Sequence, residues 1–235
     1  MLSYTEENYL KALFKLGLEN GGETAGTNEL AAQLSVKPAS VTDMLKKLKE
    51  KKLIEYEKYG KISLTQQGKR HAVEVLRKHR LWETFLYEKL EFTWDEVHEV
   101  AEQLEHIQSG KLVEKLDKFL GYPEFDPHGD PIPNDKGELR VRYKKTLAQV
   151  EPGYLCRMVA VKDNSVSFLQ YVAELGLSLN STIQVISRQD FDGQMQIEVN
   201  KKVSVVSSKF AENIFVVCMH CRSGQPCEKQ KCELL

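Results

Sequence analysis

Apolar positions at the start of the chain recur at helical spacing. Tyr9, Leu10, Leu13, Phe14 and Leu16 predict a first helix over about residues 5–16, weakened at Gly17 and followed by a loop at Asn20, Gly21 and Gly22. Thr27 is the expected N-cap of a short second helix with Leu30, Ala31 and Leu34 as its buried stripe. Ser35, Val36 and Lys37 make a tight connection. Pro38 suits the first turn of a third helix that runs to about Lys51, with Val41, Leu45 and Leu48 facing inward. A short helix, a tight turn and a longer helix form a helix-turn-helix. Residues 53–57 and 62–65 then read as two short strands around Lys58, Tyr59, Gly60 and Lys61, a hairpin with bases at its tip. Together these elements predict a winged helix-turn-helix.

The middle of the chain keeps a helical period, and the last third changes to alternation. Residues 155–161, 182–187, 194–199, 203–207 and 214–217 read as strands. A short helix at 168–175 ends at Gly176, and Asp192-Gly193 makes a turn. The polar stretch around 134–147, with Asn134, Asp135, Lys136 and Gly137, is the expected linker. The fold class is therefore mainly α with a small β domain. The expected boundaries are 1–72 for the winged head, 73–140 for a helical middle, 148–217 for the β domain and 218–235 for a Cys-rich tail.

Composition adds that the 235 residues, 41% hydrophobic and 29% charged, resemble an ordinary soluble protein. No apolar run has the length of a membrane span, and the start of the chain lacks the basic and apolar regions of a secretion signal. The expectation is a cytoplasmic protein without membrane contact. Net charge is −1 but unevenly placed. Residues 37–70 carry ten Lys/Arg against four Asp/Glu, whereas 82–126 carry four Lys against twelve Asp/Glu. A basic head followed by an acidic middle suggests a nucleic-acid face joined to a cation-binding unit.

The acidic middle also holds the chemistry. His79 and Glu83 are four apart; His98, Glu102 and His106 follow at intervals of four, with Glu105 beside His106. Residues three and four apart share a helix face, so imidazoles and carboxylates cluster as ligands for a divalent first-row metal. A solvated helix face would explain one lone His less strangely than it explains this register. The stretch has no Cys or Met, and oxygen plus imidazole suits Mn(II) and Fe(II). No H-E-x-x-H motif and no Ser-His-Asp set is present, so the metal is more readily sensed than used.

In the head, a recognition helix enters the major groove N-terminus first. That directs Lys37, Ala39, Ser40, Thr42 and Asp43 outward; Ser40 and Thr42 can bond phosphates or bases, and Ala39 can touch a thymine methyl. Lys46, Lys47, Lys58 and Lys61 would add salt-dependent backbone contacts.

With these residues in view, the chain resembles the metal-dependent transcriptional repressors of the diphtheria-toxin-repressor and manganese-transport-repressor type. The resemblance is carried by Glu7-Asn8-Tyr9-Leu10, by Ser35 to Lys47, by Arg77-Lys78-His79-Arg80-Leu81 with Glu83, and by Glu102, Glu105 and His106. The run Phe125-Asp126-Pro127-His128-Gly129-Asp130-Pro131-Ile132-Pro133, expected to close the middle domain, completes it. The resemblance implies a homodimer paired through its middle helices, with metal ordering the first helix and setting two heads on a palindromic operator. It implies two ligand sets: Glu102, Glu105 and His106 with Asn8, and His79, Glu83 and His98. Iron-type members carry Cys and Met at the positions of Glu102 and Asn8, and manganese-type members carry carboxylates at both. Glu102 follows the manganese type, while Asn8 offers a neutral amide oxygen. Lys11 stands where manganese-type members often carry another carboxylate, which argues against a closely spaced metal pair. Mn(II) is the expected co-repressor, with Fe(II) the close alternative. The β domain looks like the SH3-like, FeoA-type barrel of longer members. The stretch near Asp163, Asn164 and Ser167 keeps little of the ligand pattern that some relatives use there.

Cys218, Cys221, Cys227 and Cys232 fall in the last 18 residues with spacing C-x2-C-x5-C-x4-C. A loosely ordered thiol tail, or disulfides formed during handling, is the first reading and structural Zn(II) the alternative. The function expected is a metal-activated DNA-binding repressor, not an enzyme. The competing classes are a metal-dependent hydrolase or redox enzyme, and a metal storage or delivery protein.

Overall fold

The computed structural model describes residues 2–21, 24–56, 60–139 and 145–220, the side chains of 19 and 218–220 excepted. Two compact units result: Met1–Phe85 with Glu99–Glu124 and Ile132–Leu139, and Leu86–His98 with Phe125–Pro131 and Arg140–Leu235.

Unit one opens with helix α1 (Tyr4–Glu19). Ser3 caps it: its hydroxyl accepts from the Glu6 N–H while Glu6 accepts from the Ser3 N–H, a reciprocal capping box. Gly17 lies inside the helix rather than ending it, because Leu10, Leu13, Phe14 and Leu16 bury the whole inner face. Strand β1 (Thr24–Gly26) follows, three residues that no alternation marks. Helix α2 (Thr27–Gln33) is capped by Gly26, not Thr27; the Gly26 N–H donates to Glu29 Oε2 at 2.7 Å. Helix α3 (Pro38–Glu50) starts on Pro38 as expected and buries Val41, Leu45 and Leu48. Strands β2 (Ile54–Tyr56) and β3 (Lys61–Leu64) form the wing, and β1 pairs with the other edge of β3, giving the order β1-β3-β2. Tyr9, Leu10, Leu30, Leu45, Leu48 and Ile62 share one core, so α1 is part of the winged head.

Helix α4 (Gln66–Leu90) leaves the wing directly. The Gly68 N–H donates to Thr65 Oγ1, and a Cβ on Gly68 would lie 2.0 Å from the Leu53 carbonyl oxygen, so only glycine lets the helix start this close to the head. Helices α5 (Val97–Leu104) and α6 (Gly110–Phe119) follow, the latter capped by Ser109. Leu81, Leu116 and Ile132 form a small second core with Trp82 and Phe85 against it. Arg77 ties this part together, donating to the Pro133 carbonyl at 2.6 Å and to Asp117 at 2.7 Å. Of the expected linker, 134–138 is a tight turn in which Asn134 Oδ1 accepts from the Lys136 and Glu138 N–H groups. Residues 140–144 lie outside the described residues.

Unit two is a six-stranded antiparallel sheet of order β4-β9-β5-β6-β7-β8. Its strands are β4 (Lys145–Thr146), β5 (Leu155–Val161), β6 (Thr182–Arg188), β7 (Met195–Val199), β8 (Lys202–Val206) and β9 (Ile214–His220). Helices α7 (Val166–Glu174) and α8 (Ser208–Glu212) supply Leu169, Val172 and Phe210 to its core, beside Trp94 and the inward residues of β5, β6 and β7. The run Phe125–Pro131 groups with this unit by its contacts. Asp126 Oδ1 accepts from the N–H groups of His128 and Asp130, the His128 carbonyl accepts from the Val161 N–H, and His128 Nε2 lies 2.7 Å from the Trp94 carbonyl oxygen. Gly129 has φ +83°, and a Cβ there would lie 2.0 Å from the Val159 carbonyl oxygen. The motif is therefore a turn folded tightly onto β5. Among the described residues no helix is long and apolar enough to cross a membrane.

Candidate metal centre

Three segments of unit one bring acids, imidazoles and one amine together. Helix α1 contributes Glu7, Asn8 and Lys11, which share a face by their spacing. Helix α4 contributes His79 and Glu83; the end of α5 and its following turn contribute Glu102, Glu105 and His106. The Glu105 N–H still donates to the Ala101 carbonyl at 2.9 Å, so the chain keeps one more helical turn before breaking at Ile107. That turn sets Glu105 and His106 inward: Glu105 is fully buried and His106 nearly so.

His79 lies at the centre. Its Nδ1 is 2.6 Å from Glu105 Oε2 and its Nε2 is 2.9 Å from Glu83 Oε1. Burial opposes a charge on this ring, but the Glu83 charge and the hydrogen bonds with Glu105 and Glu83 outweigh it and hold the imidazole above its ordinary value. Ligand atoms of His79, Glu102 and Glu105 all lie within 4.8 Å of one another. Lys11 Nζ donates to Glu102 Oε1 at 2.6 Å and to the two oxygens of Glu105 at 2.7 and 2.8 Å.

His106 approaches one of these carboxylates, Glu105, and is held by Glu7. Its Nδ1 lies 2.6 Å from Glu7 Oε2, and its ring stacks on Tyr4 at 4.6 Å between centroids. Glu7 Oε1 accepts from Gln108 Nε2 at 2.7 Å. His106 Nε2 is then aimed at Glu105 Oε1 across 3.7 Å, too long for a hydrogen bond. Two ligands of one tetrahedral cation, each bonded at about 2.1 Å, stand about 3.4 Å apart, so a small closure would bring this pair to ligand spacing. Asn8 Oδ1 is buried without a hydrogen-bond partner, which leaves an oxygen donor unmet beside Glu7. An imidazole aimed by a carboxylate, unmet amide oxygen and two carboxylates are a donor set that fits a hard or borderline divalent cation.

Of the expected ligands, unit one thus unites His79, Glu83, Glu102, Glu105 and His106, with Asn8 on the neighbouring helix face. His98 is the second residue of α5 and belongs to unit two; its place among the ligands rests on sequence spacing. Two participants escaped the sequence reading. Glu7 counted only as part of a motif, and Lys11 only as a departure from it. The signal was their four-residue spacing around Asn8, which puts acid and base on the face that carries the expected ligand.

The expected DNA residues lie together on the head. Lys37, Ala39, Ser40, Thr42, Asp43, Lys46 and Lys47 are exposed along α3, and Lys61 is exposed on the wing. Thr42 Oγ1 donates back to the Pro38 carbonyl at 3.1 Å and keeps its lone pairs outward. Lys58 lies outside the described residues, as do Cys221, Cys227 and Cys232; Cys218 is described by its backbone only, in β9. Cys156 is a buried residue of the β domain, its thiol 3.4 Å from the Ile183 carbonyl.

Comparisons with known proteins extend over this architecture. Residues 1–62 match the family described as "Iron dependent repressor, N-terminal DNA binding domain". Residues 65–134 match "Iron dependent repressor, metal binding and dimerisation domain", and 145–218 match "FeoA domain". The iron-dependent repressor IdeR of Mycobacterium tuberculosis is 32% identical over 129 residues, 55% of each chain. The chain thus spans about half the length of the curated repressors of this kind that it matches. An uncharacterized HTH-type transcriptional regulator of Methanocaldococcus jannaschii is 35% identical over 119 residues, 51% of this chain and 94% of that one. The solved structure of a manganese-dependent transcriptional repressor in complex with manganese is 33% identical and aligns with a TM-score of 0.81, covering 91% of this chain and 99% of that one.

Proposed function

Because the chain belongs to the family of iron- and manganese-dependent transcriptional repressors, we propose that it is a metal-activated repressor whose co-repressor is a divalent cation bound by Glu102, Glu105, His106 and Asn8. The family is one of repressors, not enzymes.

One observation carries this reading. Helix α1 belongs to the core of the winged head through Tyr9, Leu10 and Leu13, and it also supplies Glu7, Asn8 and Lys11 to the cluster of α4 and α5. A cation drawn to Asn8 and Glu105 at once fixes α1 against those helices, and with α1 it fixes α3. Without the cation the head samples other positions, and DNA affinity falls by the fraction of time it is misplaced. On DNA, Lys37, Ala39, Ser40 and Thr42 face the bases, while Lys46, Lys47, Lys58 and Lys61 supply phosphate contacts.

Two copies reading a palindrome are the natural arrangement. Exposed Leu112 and Phe119 on α6, with Tyr122 beyond it, support pairing through the helical part. Mn(II) is the co-repressor we favour, with Fe(II) second, because the donors are oxygen and imidazole with no sulfur among the residues named. His79 and Glu83 form the start of a second ligand set, to which His98 is added from sequence spacing. The test is fluorescence anisotropy of a palindromic promoter fragment with the full chain. Mn(II) should tighten binding at least about tenfold over chelated protein. Equal affinity with and without metal would remove the sensor reading.

A further inference from the structure

We propose that Lys11 is a resident cation: its ammonium holds, between Glu102 and Glu105, the place a second divalent ion would take, so the cluster receives a single ion on the His106 side. This rests on the reading that the cluster binds a divalent metal at all.

The two sides of the carboxylate pair differ. On the Lys11 side every need is met. An ammonium has three N–H donors, and here they meet three carboxylate oxygens at 2.6, 2.7 and 2.8 Å. Lys11 is 6% exposed and Glu105 is fully buried. Withdrawing the lysine would leave a buried carboxylate short of its counter-charge, which is strongly unfavourable. The stem rises from α1 one turn after Glu7, so the charge is tethered where it stands rather than drawn from solvent.

On the His106 side needs remain. His106 Nε2 stands 3.7 Å from Glu105 Oε1 with no hydrogen bond between them, its orientation fixed by Glu7 at 2.6 Å. Asn8 Oδ1 is buried without a partner. Charge points the same way. Setting aside Glu83, which is paired with His79, the carboxylates of Glu7, Glu102 and Glu105 against the Lys11 ammonium leave a formal balance of two negative charges, which one divalent ion offsets. A second ion sharing Glu102 and Glu105 would sit against the ammonium as an uncompensated like charge. Lys11 therefore does for the carboxylate pair what a second metal does in a two-ion site: it neutralises and bridges both acids.

The experiment loads the full chain with excess Mn(II), removes unbound ion by desalting, and measures manganese per chain and the electron paramagnetic resonance spectrum. Wild type is compared with Lys11→Arg, Lys11→Met and Lys11→Glu. Wild type and Lys11→Arg should give the signal of isolated Mn(II). Lys11→Glu should hold about one more ion per chain and show the exchange-coupled spectrum of two carboxylate-bridged ions. Lys11→Met, which removes the charge but keeps an apolar stem, should move the same way and stands in if Lys11→Glu does not fold. A coupled pair in wild type overturns the proposal while leaving the metal reading intact, even if both variants misfold. So does a wild-type ratio in folded Lys11→Met and Lys11→Glu. A wild-type chain that binds no Mn(II) overturns the metal reading itself.

Discussion

Lys51, the residue that ends α3, places its ammonium 2.7 Å from Oε1 of Glu6 on α1, one residue before the carboxylate that holds His106. The contact links the end of α3 to the helix that supplies Glu7 and Lys11 to the cluster of acids and imidazoles. Burial works against the Glu6 carboxylate. The hydrogen bond from Lys51, the Ser3 N–H, the Lys51 charge and the Ser3 hydroxyl outweigh it and hold its pKa below the ordinary value.

A depressed carboxylate contributes stability that is present above its unfolded pKa and lost as pH falls through its folded pKa. Glu6→Gln should therefore destabilise the chelated protein at neutral pH by about 1 kcal/mol, the scale of a capping contact. The difference from wild type should shrink as the pH drops into the acid range where both side chains are neutral. Urea melts of the two proteins at neutral and acid pH check this; a difference that does not change with pH refutes it.

Glu7 should matter for metal more than for folding. It orients His106 through Nδ1, and carboxylates that orient a ligand imidazole typically change metal affinity by about 10- to 100-fold when removed. Glu7→Gln should weaken Mn(II) binding on that scale by calorimetry, because the amide can turn its nitrogen toward the ring and misdirect it. His106→Ala and Glu105→Gln should abolish Mn(II)-dependent DNA binding outright. If both keep a wild-type response, the cluster is not the sensor.

How legible this was depended on the range of the interaction. The amphipathic stripes of α1 and α3 were readable because Leu10, Leu13 and Phe14, and Val41, Leu45 and Leu48, recur three and four residues apart, and Pro38 announced its own helix start. The meeting of His79 with Glu83 was readable because the two are one helical turn apart. What periodicity does not carry is contact between helices far apart in sequence. Lys11 meets Glu102 and Glu105 across more than ninety residues, and Glu7 meets His106 across 99. Strand β1 is three residues long and is defined by pairing with β3 rather than by its own pattern. The allegiance of Phe125–Pro131 to the β unit follows from backbone contacts with β5, which composition does not mark.

Gly129 gives a prediction about that turn. Its φ of +83° disfavours any side chain, and an added methyl would lie 2.0 Å from the Val159 carbonyl oxygen and 2.7 Å from Ala160 Cα. Both obstacles are backbone, so neither can swing aside. Gly129→Ala should destabilise the β unit by more than about 2 kcal/mol. Thermal unfolding followed by near-ultraviolet circular dichroism should show the loss, with Gly121→Ala as the comparison: φ there is also positive, but nothing lies within 4 Å of the added carbon. If the two variants melt alike, the clash is relieved by a movement this geometry does not contain.

The last prediction concerns which ion is read. Glu102 is about one-third exposed, within reach of the cluster, and offers a hard oxygen donor. The co-ligands proposed for it are a carboxylate, an imidazole and an amide oxygen, none of which favours soft ions. Raw affinity still rises from Mn(II) through Fe(II) and Co(II) towards Cu(II), so a tighter-binding ion need not be the one that activates. Glu102→Cys replaces the oxygen by a thiolate and should move the balance. Wild-type DNA binding should respond to Mn(II) at micromolar concentration, with Fe(II) close behind, and the variant should lose much of its Mn(II) response while gaining response to Zn(II) and Co(II). Parallel titrations of DNA binding against the four ions, with wild type and Glu102→Cys side by side, decide it. A wild type silent to Mn(II) and Fe(II) at millimolar concentration but activated by Zn(II) would mean that donor hardness does not govern this site.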